Sequence, residues 1–413
     1  MIPFACLFTR LLNYKKKCRT MRKLKINSMW ITLVFFSCVL CLTSCIKDEA
    51  GNKECDILNA WVEGDEYAIY FNDKNQMKVS DISSTETNIT FVVRSLLSLS
   101  KQIPVCFDLT PGATIEPANG SLQDFTNGPV TYTVTSEDGE WTRQYKVAFI
   151  EPTLPTFKFS FEHVETSEQT YSGSYYHIFY EEATTGQRQD IWDSGNSGAA
   201  LTLPYAQPDA FPTSSVEQGY QGKGVCLKTI SAGSLGAMMK KPIAAGNLFL
   251  GKFIIENVLT DALKTTRFGV PIDREPVRVT GYYKYQPGDK FTDKDMHEVA
   301  GRTDEASIYA VFYRNKDSEG KDVYLWGNDV LDLNKLNTHP QVVKVAKMDK
   351  LPPTNEWTRF EMFFEGKDAD DEELSEKKFN LALVFSSSKD GALFEGAIGS
   401  TLYVDEVEIS FEK

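Results

Sequence analysis

Short runs that alternate apolar and polar side chains decide what this chain can become. Val130, Tyr132 and Val134 point one way, and Thr131, Thr133 and Thr135 point the other. After a turn signal at Asp138-Gly139, Tyr145, Val147 and Phe149 repeat the pattern around Lys146 and Ala148. A side-chain period of two marks a strand with one buried face, and two such runs joined by a Gly-containing loop make a hairpin. Ile89, Phe91 and Val93 form a third run, with further turns at Pro111-Gly112 and Asn119-Gly120. No helical period competes. Roughly a hundred residues of short strands and regular turns predict an immunoglobulin-like sandwich.

Glu151-Pro152-Thr153-Leu154-Pro155 reads as a junction, because prolines end strands and stiffen linkers. The chain beyond it opens with Phe157, Phe159 and Phe161 on one face. Near its end, Leu402 and Val404 share parity with Glu406 and Glu408, whereas Tyr403 and Asp405 share parity with Val407 and Ile409. The apolar side changes near Asp405, which predicts a bulge or kink. Strand-like runs at 277–285, 306–314, 323–326, 358–365 and 379–386 lie between, separated by turns rich in Gly, Asn, Asp and Pro. The expectation is an all-β chain: the immunoglobulin-like sandwich over 45–152, then a larger two-sheet jelly roll over 153–413. Only short helices are expected, one of them over 257–264.

The N-terminus reads as an address. Arg22, Lys23 and Lys25 precede an apolar stretch from Met29 to Leu42, the pattern of a secretory signal and short for a bilayer span. It ends in Leu42-Thr43-Ser44-Cys45, which resembles a bacterial lipobox. That resemblance implies that residues 1–44 are removed, with the first 20 an upstream extension before Met21. It also implies that Cys45 is acylated and becomes the anchored N-terminus; two or three acyl chains anchor stably where one does not. Ile46-Lys47-Asp48-Glu49 then resembles the surface-export signal of Bacteroidetes lipoproteins, or is a plain polar linker. The expected location is the outer membrane, exposed at the cell surface, with the membrane reached through the lipid.

The charge is consistent with that address. The whole chain has 44 basic and 57 acidic residues. Eight of the basic residues and none of the acids lie in the first 44, which leaves 36 against 57 beyond them, a net −21. So acidic a chain repels a phosphate backbone, and nucleic acid is not an expected partner. Beyond Cys45 only Cys55, Cys106 and Cys226 remain, so they cannot all pair; Cys55–Cys106 is one option and buried free thiols the other.

Several segments resemble a known family. Residues 241–253 (Lys-Pro-Ile-Ala-Ala-Gly-Asn-Leu-Phe-Leu-Gly-Lys-Phe), Gly281-Tyr282-Tyr283-Lys284-Tyr285 and the stretch 386–407 are similar to the putative carbohydrate metabolism domain (PCMD) lipoproteins of Bacteroidetes. Glu54-Cys55-Asp56-Ile57 and 109–115 match upstream. The resemblance covers nearly all of the chain beyond the signal. It implies a jelly roll similar to carbohydrate-binding modules behind an immunoglobulin-like domain, and a poly- or oligosaccharide as the partner.

Sugar binding needs flat aromatic faces for C–H surfaces beside planar polar groups for hydroxyls. Trp192, Asp193 and Asn196, in a Gly-loosened segment, offer that combination; the same segment also fits a buried Trp beside a tight turn. Tyr282 shares parity with Arg278, Thr280 and Lys284 and is expected to face solvent. Jelly rolls of this kind often hold calcium between the first and last strands, and Glu162 and Asp405 sit there. The run Asp368-Ala369-Asp370-Asp371-Glu372-Glu373 is expected to be a solvated loop. His297-Glu298 lacks a second His, and neither Gly195-Asn196-Ser197-Gly198 nor Gly219-Tyr220-Gln221-Gly222-Lys223-Gly224 has the spacing of a nucleophile elbow, P-loop or dinucleotide site. The leading expectation is therefore a non-catalytic surface lipoprotein that binds glycan. A glycoside hydrolase, needing only two facing carboxylates, and a structural or adhesive protein are the alternatives.

Overall fold

The computed structural model describes residues 51–71, 74–96, 99–151, 154–183 and 185–412. Cys45 and the signal lie outside the described residues. The chain divides into two compact units, Met1–Pro152 and Thr153–Lys413.

The first unit is a sandwich of two four-stranded sheets. One has the order Lys78–Val79, Ile57–Val62, Ile103–Leu109, Leu122–Gln123; the other Asn88–Val92, Thr142–Ile150, Val130–Thr135, Thr114–Glu116. Val130–Thr135 and Thr142–Ile150 form the expected antiparallel hairpin. Asn88–Val92 joins its far edge in parallel, a pairing that alternation alone does not encode. Ile89, Phe91, Tyr132, Val134, Tyr145 and Val147 fill the space between the sheets. The Tyr145 hydroxyl pins one sheet to the other: it accepts the Ile57 amide and donates to Asp56, both at 3.2 Å. Cys55, Cys106 and Cys226 are all free thiols; burial and the nearby Glu63 carboxylate push the Cys106 thiol up.

The second unit is the larger jelly-roll sandwich, a six-stranded sheet facing a nine-stranded one. The long strands fall on the predicted runs: Pro276–Gln286, Ser307–Arg314, Thr354–Phe363 and Phe379–Ser386. Ser307–Arg314 and Phe379–Ser386 are buried almost throughout because both of their faces are covered. Ile308, Ala310, Phe312, Leu381, Leu383 and Phe385 point into the space between the sheets. Tyr309, Val311, Tyr313, Ala382 and Val384 point outward, into a second apolar layer under loops. Burial on both faces explains runs that are apolar without alternation. In place of a helix over 257–264 there are two 3-10 turns, Ile255–Asn257 and Ala262–Lys264.

Thr401–Phe411 is the central strand of the six-stranded sheet and carries the predicted irregularity. Thr280 opposes Glu408 and Tyr282 opposes Asp405, so one residue of one strand, Gly281, faces two of the other, Glu406 and Val407. Glu406 takes the extra position with φ of 49°. This bulge lets Leu402 and Val404, then Val407 and Ile409, all face the core despite their different parity. Among the described residues no helix is long and apolar enough to cross a membrane.

Candidate functional site

Trp192, Asp193 and Asn196 prove to be scaffold, which corrects the expectation that they bind sugar. Trp192 is only 3 % exposed. Its ring packs edge-on to Phe159 at 4.9 Å and lies 5.4 Å from Phe161. Its indole N–H donates to Glu181 at 2.8 Å. No face is left for a ligand. Burial pushes the Glu181 carboxyl up to about 7, with the indole hydrogen bond opposing the shift only in part. Asp193 accepts the amides of Ser194 and Phe253, and burial raises its carboxyl as well. Asn196 is fully buried and pairs with the Thr213 backbone in both directions, at 2.7 and 3.1 Å, in the manner of a strand neighbour.

Tyr282 meets a different setting. It lies half-buried on the solvent side of the six-stranded sheet, and three more aromatic rings gather around it. Tyr220 stacks on it, centroids 3.6 Å apart and planes within 9°. Trp357 stands edge-on to Tyr220 at 6.3 Å. The Lys284 ammonium lies between Trp357 and Tyr403, 4.6 and 5.1 Å from their ring centres. Strand register makes this row: Tyr282 is opposite Arg359, and Lys284 opposite Tyr403. Tyr220 is 46 % exposed and presents its outer side to water. Arg359 and Arg278 each hold Glu361 at 3.4 Å, and Lys158 pairs with Glu406, so the polar groups beside the rings are ordered.

Glu162 and Asp405, expected to hold calcium, instead hold the loop that delivers Tyr220. Asp405 accepts the Gln221 amide and Glu162 the Lys223 amide, each at 2.9 Å. Burial pushes Asp405 up to about 6, against the opposing pull of the amides that bind it. The loop comes so close that a Cβ on Gly222 would lie 2.0 Å from Glu162 Oε1, and Gly222 has φ of +69°, where glycine is favoured. Oxygens that take N–H donors are turned toward positive amide hydrogens rather than toward a cation. Among the described residues no group of three or more His, Cys, Asp or Glu side chains converges on one point.

Tyr220, Trp357 and Tyr403 were not anticipated. Tyr220 lies in a Gly-rich loop whose strand contacts are long-range. Tyr403 shares parity with Val407 and Ile409, and only the bulge at Glu406 turns it to the other side. Trp357 lies one residue before the recognisable run at 358–365.

Comparison with known proteins agrees with this architecture. The sequence model of the putative carbohydrate metabolism domain matches residues 160–410, and that of the SGBP N-terminal domain matches residues 68–148. A crystal structure of a putative glycoside hydrolase from Bacteroides thetaiotaomicron is 36% identical and covers 89% of this chain and 99% of its own, with a TM-score of 0.55. A second, from Bacteroides vulgatus, is 38% identical over 62% of this chain and 98% of its own, with a TM-score of 0.57. No curated protein matches significantly by sequence. With the domain model spanning most of the second unit and a relative at this identity along nearly the whole length, the chain belongs to the PCMD family.

Proposed function

We propose that the protein binds glycan at the cell surface, through the solvent face of the six-stranded sheet, and that acyl chains on Cys45 anchor it there. The observation that carries this reading is the row formed by Tyr220, Tyr282, Trp357 and Tyr403 with Lys284. A sheet packed on one side has no need of four rings on the other. Flat apolar faces beside ordered cations suit a sugar, whose C–H surface stacks while its hydroxyls meet polar groups. The family and the SGBP-type first unit point to carbohydrate and to the cell surface.

Hydrolysis is the second reading, because the two solved relatives bear that name. A glycosidase needs a protonated acid facing a second carboxylate. The two acids that burial lifts furthest, Glu181 and Asp405, are committed to Trp192 and to the 219–224 loop. The carboxylates on the aromatic face, Glu361 and Glu406, are tied to cations. These arrangements favour binding without cleavage.

Affinity electrophoresis through gels cast with a panel of plant and host polysaccharides tests the proposal, with reducing-end release measured on the same panel. Retention by at least one polysaccharide without release of reducing ends is expected. Release of product would move the protein to the second reading, and no retention on any polysaccharide would remove the first.

A further inference from the structure

The opposite side of the second unit holds a cavity of about 480 Å³, on the outer face of the nine-stranded sheet. Its floor is set by strand register. Phe249 pairs with Val384, Val384 with Tyr309, and Tyr309 with Lys347, so these four form one row across four strands. In the neighbouring row, Asn247 pairs with Ser386 and Ser386 with Ser307. All seven side chains line the cavity. An aromatic row ending in an amine therefore lies beside a row of one amide and two hydroxyls.

Two of the polar groups in these rows, on Asn247 and Tyr309, have capacity to spare. The Asn247 carbonyl oxygen accepts the Gly195 amide at 2.8 Å, but its Nδ2 has only a 3.5 Å contact with the Ala245 carbonyl. The Tyr309 hydroxyl has no hydrogen-bond partner among the described residues, and burial alone pushes its phenol up. An accessible hydroxyl without a protein partner is free to donate to or accept from a ligand. Segments 195–202, 327–334, 347–351 and 388–394 contribute to the walls of the cavity. At Asn334, Lys347 and Asp349 it adjoins a second depression of about 330 Å³.

We infer that this cavity is a second carbohydrate site, one that takes a terminal sugar and lets the adjoining units leave over Asn334, Lys347 and Asp349. The inference rests on the glycan-binding reading but uses none of the residues of the aromatic face. A pyranose has the matching division, a C–H face for the partly exposed Phe253 and Phe394 of the lining and hydroxyl edges for Asn247, Tyr309 and Ser386. A volume of this size is that of an ordinary compact-ligand site. The carboxylates of the lining are held by lysines: Glu305 lies 3.4 Å from Lys389, Asp349 3.9 Å from Lys347, and Asp332 3.0 Å from Lys335, which keeps its carboxyl low. The site is built to bind rather than to donate a proton.

The test uses the chain with Tyr220→Ala and Trp357→Ala together, which disables the aromatic face, so that only the cavity remains. Calorimetry and saturation-transfer NMR are run with cellotetraose, xylotetraose, mannotetraose, maltotetraose and β-1,4-galactotetraose. At least one should bind, with the strongest transfer to one terminal ring. Adding Tyr309→Phe should weaken it about fivefold, the worth of one hydrogen bond. Adding Ser307→Leu, which fills the polar row, should abolish binding. Binding of none of the five, or binding unmoved by both substitutions, would overturn the inference. Polymer retention by the unsubstituted protein is scored separately. Retention without tetrasaccharide binding sinks the cavity alone, and tetrasaccharide binding without retention sinks the aromatic face alone.

Discussion

Asp405 accepts the Gln221 amide at 2.9 Å, and that bond ties the bulged central strand to the loop that stacks Tyr220 on Tyr282. The bulge at Glu406 and the aromatic face are thus one construction. The extra residue turns the strand, the turn buries Asp405, and Asp405 fixes the ring.

Loosening that loop should weaken glycan binding without unfolding the unit. Asp405→Ala removes the acceptor, and Gly222→Ala forces a Cβ toward Glu162 at a left-handed backbone position, at a cost of roughly 1–2 kcal/mol. Both should lose retention by about tenfold or less while circular dichroism stays that of a sandwich, since only one of four rings is displaced. Treatment with EDTA should change neither retention nor the unfolding temperature, because Glu162 and Asp405 hold amides.

Trp192→Ala should act on stability, not on the ligand. It empties the space between Phe159 and Phe161 and leaves Glu181 without its donor, a loss of roughly 3–5 kcal/mol. Denaturant melts should shift strongly. Trp192→Phe, which keeps most of the packing, should fold and be retained on glycan gels like the parent.

Stability should fall as pH rises from about 4.5 to about 7. Glu181 titrates near its ordinary value when unfolded and near 7 when folded, so the folded state binds more protons across that window. The shift corresponds to a loss on the order of 3 kcal/mol. Asp405, raised to about 6, adds a smaller contribution of the same sign. Thermal melts over this range should show the slope, and Glu181→Gln should flatten most of it. Acids held low by local hydrogen bonds, such as Asp138 and Asp317, lose their contribution only below the usual carboxylate range and do not overlap this window.

The anchor has its own check. Mass spectrometry of the protein from a native envelope should find Cys45 as an acylated N-terminus, and Cys45→Ser should release the protein from membranes. An unmodified chain retaining residues 1–44 would contradict the lipobox.

What could be read from the sequence follows from which signals are local. Alternation in 130–135 and 142–150 gave the hairpin, and the change of parity at 402–409 gave the bulge, because both depend on neighbours in the chain. The parallel pairing of Asn88–Val92 with Thr142–Ile150 is long-range and left no local mark. Trp192 misled because a Trp beside Gly, Asn and Asp has the same composition whether the ring is in a groove or in the core. Its partner, Glu181, has nothing in its own neighbourhood to mark it as buried. Tyr282 was legible by parity. Its neighbours Tyr220 and Tyr403 reach it only through a loop and a bulge whose consequences are three-dimensional.

The central claim is that the aromatic row binds glycan, and affinity electrophoresis of Tyr220→Ala and Trp357→Ala on a retaining polysaccharide tests it most directly. Each loss of a stacking ring should cost at least about 1 kcal/mol, weakening retention severalfold, and the pair should abolish it while melts match the parent. Undiminished retention by the folded double variant would contradict the account.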